Sequence, residues 1–415
     1  MRKNASTGKL NSAQDEVKFN WKMRIHLWRL MLRDGSKCCG VHSNFLSTSV
    51  ASEHLVKAAM SPRTPSNLNE LLSMLTSETI LHEPGRFVIV NKPFGVSCVG
   101  YKQKNGGVFP ESRFDRKNAS EEDTNDDIQR DSHSRNSLTI EAALPFLAER
   151  FREPNLSFCI GLKRYVSGAV VLPASVRDFG SIIESVQLCA LPEYGYHHRA
   201  LAICVGKPAE ERGKLSGYAT FETVRDHSEY VFKPGAKAKL RARAGKYAVA
   251  GEMEYRLLAS KYGCSLMDIS FSKFGRHLPR LMLTELLCPV LGDSMYMRRI
   301  VDIDGVATLI PPSRVYRAKR HPMDSSALLS RLNISQADIH TKLPLFIHVY
   351  RSLFPRYGCS KKSKQRVDLV ASAPLPAHMV AMLKCVEMWD AAVRHLNTVA
   401  EEDSPEKRFA SEGRF

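Results

Sequence analysis

The sequence lacks the cysteine patterns of disulfide scaffolds and zinc modules. Its ten cysteines form no CxxC pair, and no spaced Cys/His cluster has the pattern of a zinc site. Several cysteines, including Cys159, Cys204 and Cys288, lie in apolar runs. Buried reduced thiols in a reducing compartment are therefore expected, with no zinc site.

Sequence signatures of several enzyme classes are also absent. There is no GxGxxG and no P-loop, and the glycine spacing of "FGVSCVG" is wrong for a nucleophile elbow. The adjacent His197 and His198 are not expected to bind a metal together, because neighbours on a strand face opposite ways. No apolar run is long enough to span a membrane, so no membrane insertion is expected.

Acidic residues are outnumbered by basic ones. The 415 residues include 60 Lys and Arg against 43 Asp and Glu, which gives a formal net charge of +17. Such an excess indicates a polyanionic partner, either nucleic acid or an anionic membrane surface.

The first 60 residues have the composition of a targeting segment. From Met23, "MRIHLWRLMLR" alternates arginine with apolar side chains, and a Ser-rich, acid-poor stretch follows. This pattern predicts a mitochondrial transit peptide within a disordered leader (1–60), with translation starting at Met1 or Met23. An unstructured basic arm is the alternative.

The body of the chain predicts an α+β fold with a mostly antiparallel sheet, because many strands mix with helices that do not alternate strictly. The segment 102–137 is polar and of mixed charge, which predicts a disordered insertion in a domain spanning 80–390. The pattern from about Ser325 to Pro355 predicts helix, with Ser335 as an N-cap. A disordered tail is expected at 398–415.

The run "AKAKLRARA" places four cations at every second residue. Lys237, Lys239, Arg241 and Arg243 share one face if the run is a strand, and no acid lies among them. Phosphates would neutralise their mutual repulsion, so RNA contact is predicted. A solvated edge strand protected by charge is the alternative.

Five segments, in chain order, have the form of recurring motifs: "VIVNKPFGV", "LKRYVSGAVVLPAS", "RALAICVGKP", "FGRHLPRLMLTELLCPVLGDSMY" and "PLFIHVYRSLFP" followed by "APLP". Together they resemble the RluA-type RNA pseudouridine synthase family, closest to its divergent animal mitochondrial branch for mRNA. They resemble, in turn, I-V-x-N-K-P-x-G, H-R-L-D-x-x-T-S-G-L-L-L-x-A, Y-x-A-x-V-x-G-x-P, T-G-R-x-H-Q-I-R-V-H-L with C-P-I-L-G-D-x-x-Y, and the family's closing motifs. Coverage runs from about residue 80 to about residue 385.

The resemblance implies the pseudouridine synthase fold, with a central, curved, mostly antiparallel sheet flanked by helices. It also implies a basic cleft in which a uridine flipped out of mitochondrial RNA is isomerised without a cofactor or metal. The residues it places at the RNA are Lys163, Arg164, Arg276, His277 and Arg280. With the leader, it implies the mitochondrial matrix.

The resemblance fails at the catalytic residue. Family enzymes attack the nucleotide with an aspartate, whose position is occupied here by Lys163, and the family's tyrosine falls on Ala200, with Tyr194 and Tyr196 near it in sequence. "RFDR" mimics the catalytic motif, but its Asp115 lies in the polar insertion with no buried strand after it.

Three functions therefore stay open. Family resemblance favours a pseudouridine synthase. Lys163 favours a non-catalytic RNA-binding relative that acts in transcript or ribosome maturation, because an ordinary lysine is protonated at neutral pH. A basic peripheral membrane protein is the third, and the lack of an amphipathic membrane helix outside the leader counts against it.

Overall fold

The computed structural model describes residues 50–99, 138–224, 227–235, 248–315, 326–357 and 368–402. The chain divides into one compact unit of residues 49–389 and another of residues 1–48 and 390–415. In the second unit the described residues, 390–402, belong to one helix.

The helices of the described residues are α1 Glu53–Met60, α2 Leu68–Ser77, α3 Ile140–Phe151, α4 Val176–Leu188, α5 Leu278–Glu285, α6 Pro312–Val315, α7 Ser326–Leu332, α8 Gln336–Thr341, α9 Ala377–Cys385 and α10 Trp389–Glu402. Side-chain caps mark several of their starts: Asn67, Thr139 and Ser175 each accept a hydrogen bond from a backbone N–H of the first turn. Ser335 forms a capping box with Asp338 at the start of α8, which confirms the predicted N-cap.

The strands within the described ranges are β1 Thr79–Glu83, β2 Phe87–Lys92, β3 Ser167–Pro173, β4 His198–Val205, β5 Arg212–Val224, β6 His227–Pro234, β7 Val249–Lys261, β8 Cys264–Phe271, β9 Ile300–Ile303, β10 Val306–Leu309, β11 Ile347–Phe354 and β12 Leu369–Ser372. Ten of them form one sheet in the order β1-β2-β3-β11-β4-β8-β7-β5-β6, with β12 also paired to β11. The β3–β11 pair is parallel and the other pairs are antiparallel. β9 and β10 form a separate hairpin.

Both faces of the sheet carry a hydrophobic core. Alternate side chains of a strand point to opposite faces. In β2, Val88 and Val90 accordingly join one core cluster, whereas Phe87 and Ile89 join another. The first cluster takes in apolar residues of α2, α3 and α5, and the second takes in residues of α4. The predicted α+β fold with a mostly antiparallel sheet and flanking helices is confirmed.

Two segments that were predicted to be disordered contain helix. α1 lies inside the predicted leader and packs on α9, and the backbone N–H of Ala51 bonds to the carbonyl of Arg331. α10 continues to Glu402, past the predicted start of the tail at residue 398. Each of these helices has a polar side and a buried apolar side. α1 buries Val56 and Ala59, and α10 buries Leu396 and Val399.

The predicted helix from Ser325 to Pro355 is partly wrong. Its first part contains α7 and α8, but its last part is β11, which lies inside the sheet between β3 and β4. The sequence "IHVYRSLF" is short, apolar and rich in β-branched and aromatic residues. Such a run suits a strand buried on both faces, and its periodicity alone does not separate it from helix.

Candidate functional site

Lys92 organises the turn that follows β2. Its side chain is fully buried, and its ammonium donates hydrogen bonds to the carbonyls of Pro93 (3.1 Å) and Val96 (2.6 Å). Gly95 in this turn has φ of 81°, a conformation that favours glycine. The lysine of the "NKPFG" motif therefore shapes the loop from within.

A second turn, residues 163–166, lies against this loop and leads into β3; it is called the Lys163 turn below. The backbone N–H of Val166 donates to the carbonyl of Lys163 (3.0 Å) and closes the turn. Arg164 makes two bonds with Gly95: its Nε donates to the Gly95 carbonyl, and its own carbonyl accepts from the Gly95 N–H, both at 2.9 Å. The motifs around Lys92 and Lys163 thus form one joined structure, with Lys163 half-buried at its edge.

The segment Gly275–Leu278, called the Arg276 corner below, has an unusual backbone. Arg276 (φ 53°, ψ 41°) and His277 (φ 56°, ψ 24°) both adopt the left-handed conformation. A bulky residue in this region costs of the order of 1 kcal/mol, so the surroundings must hold both in place. Strained backbone of this kind concentrates at functional sites.

Aromatic rings hold the Arg276 corner. The guanidinium of Arg276 lies 5.4 Å from the ring centres of both Phe221 and Tyr230, and these rings stack on each other at 3.9 Å. The imidazole of His277 makes edge contacts with three tyrosine rings, which belong to Tyr165, Tyr230 and Tyr296, at 5.5–5.8 Å. Its Nδ1 is also 2.7 Å from the hydroxyl of Tyr296.

Arg280 is buried in an ion pair with Asp293. Its Nε and Nη2 reach the two carboxylate oxygens at 2.8 and 2.7 Å, and it lies over the rings of Tyr165 (4.7 Å) and Tyr296 (5.0 Å). Asp293 also accepts the backbone N–H groups of Met295 and Tyr296. The "GRHLPR" and "GDSMY" motifs are therefore structural partners, and this carboxylate is committed to the fold.

The structure brings together two of the three groups of predicted site residues. The Lys163 turn, with Lys163 and Arg164, meets the Arg276 corner and Arg280 through the ring of Tyr165. The RNA contacts of these residues stay predictions. The third group, Lys237, Lys239, Arg241 and Arg243, and the decoy Asp115 lie outside the described residues.

The aromatic members of the site could not be identified from the sequence. Tyr165, Phe221, Tyr230 and Tyr296 are spread over four segments, and nothing in their spacing joins them. One signal existed: Tyr165 lies two residues after Lys163, inside the motif that drew attention to that turn.

The expectation that His197 and His198 face opposite ways is wrong. Their ring centres are 4.0 Å apart, and His197 lies just before the first residue of β4. His197 bonds to the carbonyl of Leu353 and His198 to the hydroxyl of Ser352. Burial lowers the pKa of His197 to about 4 and lowers the pKa of His198 well below its usual value, so both are neutral.

The position of the family's tyrosine is closed. Ala200 has no exposed surface and packs in the core with Ala202. Tyr196 bonds to Glu254, and Tyr194 accepts a hydrogen bond from Arg356, so both are engaged elsewhere.

The described part of the chain contains neither a cluster of metal ligands nor a membrane span. There, no group of three or more His, Cys, Asp and Glu side chains is placed to hold a metal ion. Within the same ranges, no helix has the length and hydropathy needed to cross a membrane.

Comparison with known proteins identifies relatives. No family model matches the chain. The mitochondrial mRNA pseudouridine synthase RPUSD3 of Homo sapiens is 27% identical over 255 residues, which cover 60% of this chain and 68% of that protein. The Mus musculus protein of the same name is 28% identical over 135 residues, 32% of this chain and 37% of its own. The pseudouridylate synthase RPUSD4, mitochondrial, of Danio rerio is 25% identical over 243 residues, 56% of this chain and 60% of its own.

Among solved structures, the human RNA pseudouridylate synthase domain containing 4 protein is similar with a TM-score of 0.47 and 18% identity, over 77% of this chain and 97% of that one. In the sequence comparisons, the regions aligned with this chain cover little more than a third of the mouse relative and three fifths of the zebrafish one. The named relatives agree with the motifs found in the sequence. The chain is thus similar in sequence to proteins named as mitochondrial pseudouridine synthases of animals.

Proposed function

We propose that this protein is a mitochondrial pseudouridine synthase, which binds RNA across the Lys163 turn and the Arg276 corner and isomerises a uridine there. The relatives are named for this reaction and this organelle. The matrix is the compartment we assign, since the arginine-rich N-terminal segment has the composition of a transit peptide.

The observation that carries the proposal is the meeting of two distant motifs. The Lys163 turn and the Arg276 corner are more than 100 residues apart in sequence, yet Tyr165 contacts both His277 and Arg280. The strained backbone of the corner costs the fold free energy, which suggests that the corner is kept for its function. A net charge of +17 supplies the long-range attraction for RNA.

Lys163 is the group that we place at the reacting nucleotide. An amine forms covalent intermediates in other enzymes once it has lost its proton, so a lysine at this position is compatible with nucleophilic catalysis. Its turn is fixed by backbone bonds and by Arg164 and Tyr165, which gives the side chain a defined starting point.

A non-catalytic RNA-binding relative is the second candidate. Two observations favour it: Lys163 takes the place of the family's aspartate, and Ala200 leaves no hydroxyl where the family has tyrosine. Such a protein would bind the same RNA during transcript or ribosome maturation.

The test is to incubate the full-length protein with mitochondrial transcripts and measure pseudouridine by mass spectrometry. We expect more pseudouridine with the wild type than with Lys163→Ala, at equal RNA occupancy measured by gel shift. RNA binding without pseudouridine in either protein would replace the first candidate by the second. Absence of RNA binding would contradict both.

A further inference from the structure

We propose that Tyr165 is a positioning residue of the RNA site, which fixes Lys163 relative to Arg276 and His277. The inference rests on the proposed RNA-binding function and adds a residue to it. Tyr165 makes no contact of its own with RNA in this proposal; it acts through the two segments that its ring joins.

The first argument is how the members of the Lys163 turn are held. Lys163 contributes its carbonyl, which accepts from Val166, and Arg164 is bonded to Gly95 on the preceding loop. These bonds attach the turn to the Lys92 side of the site. The ring of Tyr165 attaches the same turn to the opposite side, through its contacts with His277 and Arg280.

The second argument is the nature of the contacts made by Tyr165. The guanidinium of Arg280 is 4.7 Å from the centre of the Tyr165 ring, and the rings of Tyr165 and His277 meet edge to face at an angle of 87°. Cation–π and edge contacts of this kind depend on orientation, so they fix the angle of the ring and not merely its depth. Arg280 is itself locked by two bonds to Asp293.

The third argument is that a fixed separation between Lys163 and the Arg276 corner favours RNA binding. Arg276 and His277 hold two consecutive left-handed backbones, and the cationic side chain of Lys163 leaves the neighbouring turn half-exposed. Two segments that meet one RNA strand bind it best when their separation is fixed before binding, because the complex then does not bear the cost of ordering them. A ring that joins the two segments provides this.

The test is a double-mutant cycle on RNA affinity, with full-length protein and a uridine-containing single-stranded RNA of about 20 nucleotides as the probe. We expect Tyr165→Ala and Lys163→Ser each to weaken binding about tenfold. The double variant should be no weaker than about tenfold either, because the alanine has already displaced Lys163. Tyr165→Phe keeps the ring and should bind as the wild type does.

Tyr357 provides a matched control on the other face of the sheet. The guanidinium of Arg86 lies 5.2 Å from the centre of the Tyr357 ring, which also packs edge-on against the ring of Phe87. Tyr357→Ala should lower the unfolding midpoint at least as much as Tyr165→Ala does and should leave RNA affinity unchanged.

The outcomes separate the inference from the function beneath it. If the effects of Tyr165→Ala and Lys163→Ser multiply, or if Tyr357→Ala weakens binding equally, Tyr165 is a packing residue and the inference is overturned. If Lys163→Ser binds RNA as tightly as the wild type, the RNA role of Lys163 fails, and the positioning role of Tyr165 fails with it.

Discussion

At the scale of single residues, Asp293 shows how a charge in this site serves the fold. Its side chain has no exposed surface, and its partner Arg280 is 7% exposed. Removing one partner of such a pair leaves the other buried and uncompensated, which is far more costly than losing an ion pair in water. The pair therefore holds Arg280 in place beneath Tyr165.

We expect Asp293→Asn to lower the unfolding free energy by about 3–5 kcal/mol, as measured by urea denaturation. Glu252→Gln is the control, because its ion pair with Lys214 is about half exposed and should be worth less than about 1 kcal/mol. Equal effects of the two substitutions would show that the buried pair has no special role.

Also at the scale of residues, the buried histidines should make the folded protein less stable in acid. Burial lowers the pKa of His348 to about 3 and that of His378 to about 4, as it does for His197. Above a pH of about 6.5 these groups are neutral in both states and contribute nothing. Below it, the unfolded chain takes up protons that the folded chain excludes, so stability falls as the pH falls toward about 4.

The substitution His378→Phe tests whether a buried histidine lowers the stability as the pH falls. His378 lies between the rings of Phe94 and Phe346, so a phenyl ring suits the site. Between about pH 7 and pH 5 the wild type should lose about 2 kcal/mol more unfolding free energy than the variant, since one histidine accounts for that amount. His54→Gln, at an exposed position, should lose as much as the wild type. A variant whose pH dependence matched the wild type would contradict the assignment.

At the scale of elements, the parallel junction of β3 and β11 depends on one glycine. Gly168 has φ of 148°, and a Cβ there would lie 2.4 Å from the carbonyl oxygen of Val349. The junction puts β11 beside the strand that follows the Lys163 turn, so the position of that turn depends on it. The glycine of the motif is thus explained by close backbone approach.

Gly168→Ala should therefore destabilise the protein by roughly 3 kcal/mol or more, through backbone displacement in a packed sheet. Gly180→Ala is the matched substitution, and we expect it to change the stability in the opposite direction. Gly180 lies inside α4, and a Cβ there would meet nothing within 4 Å, so the change should stabilise by about 0.5–1 kcal/mol. The unfolding midpoints of the two variants should lie on either side of the wild type.

How much the sequence could predict also differs by element. The N-cap of α8 could be predicted, because Ser335 precedes a helical pattern and its capping role depends only on residues close in sequence. β11 could not, because its position between β3 and β4 is set by contacts distant in sequence. The site shows the same division: motifs indicated Lys163, Arg276 and Arg280, whereas the rings that hold them come together only in three dimensions.

At the scale of the whole molecule, the excess of positive charge should appear as a strong salt dependence of RNA binding. Replacing Lys237, Lys239, Arg241 and Arg243 by Ser should lower the log–log salt slope by about 0.7–0.9 for each phosphate that the variant no longer neutralises. The control replaces exposed lysines on other elements, at 57, 261 and 342, of which the last two are ion-paired with Glu387 and Asp338. If both variants changed the slope equally per charge, the run would be a solvated strand that does not bind RNA.

The whole site, finally, predicts what restoring the family's aspartate would do. Bonds that fix the Lys163 turn use the backbone of Lys163 and the side chains of Arg164 and Tyr165, so these bonds survive an exchange of the side chain at residue 163. A carboxylate is fully ionised at neutral pH, whereas an ordinary lysine is protonated and must lose its proton before it attacks. We therefore expect Lys163→Asp to form pseudouridine faster than the wild type at saturating RNA, even though it binds RNA more weakly. Lys163→Asn has the same shape without the charge and should show no such gain. A Lys163→Asp variant slower than the wild type would mean that the amine, with the closed position at Ala200, is the arrangement on which the reaction depends.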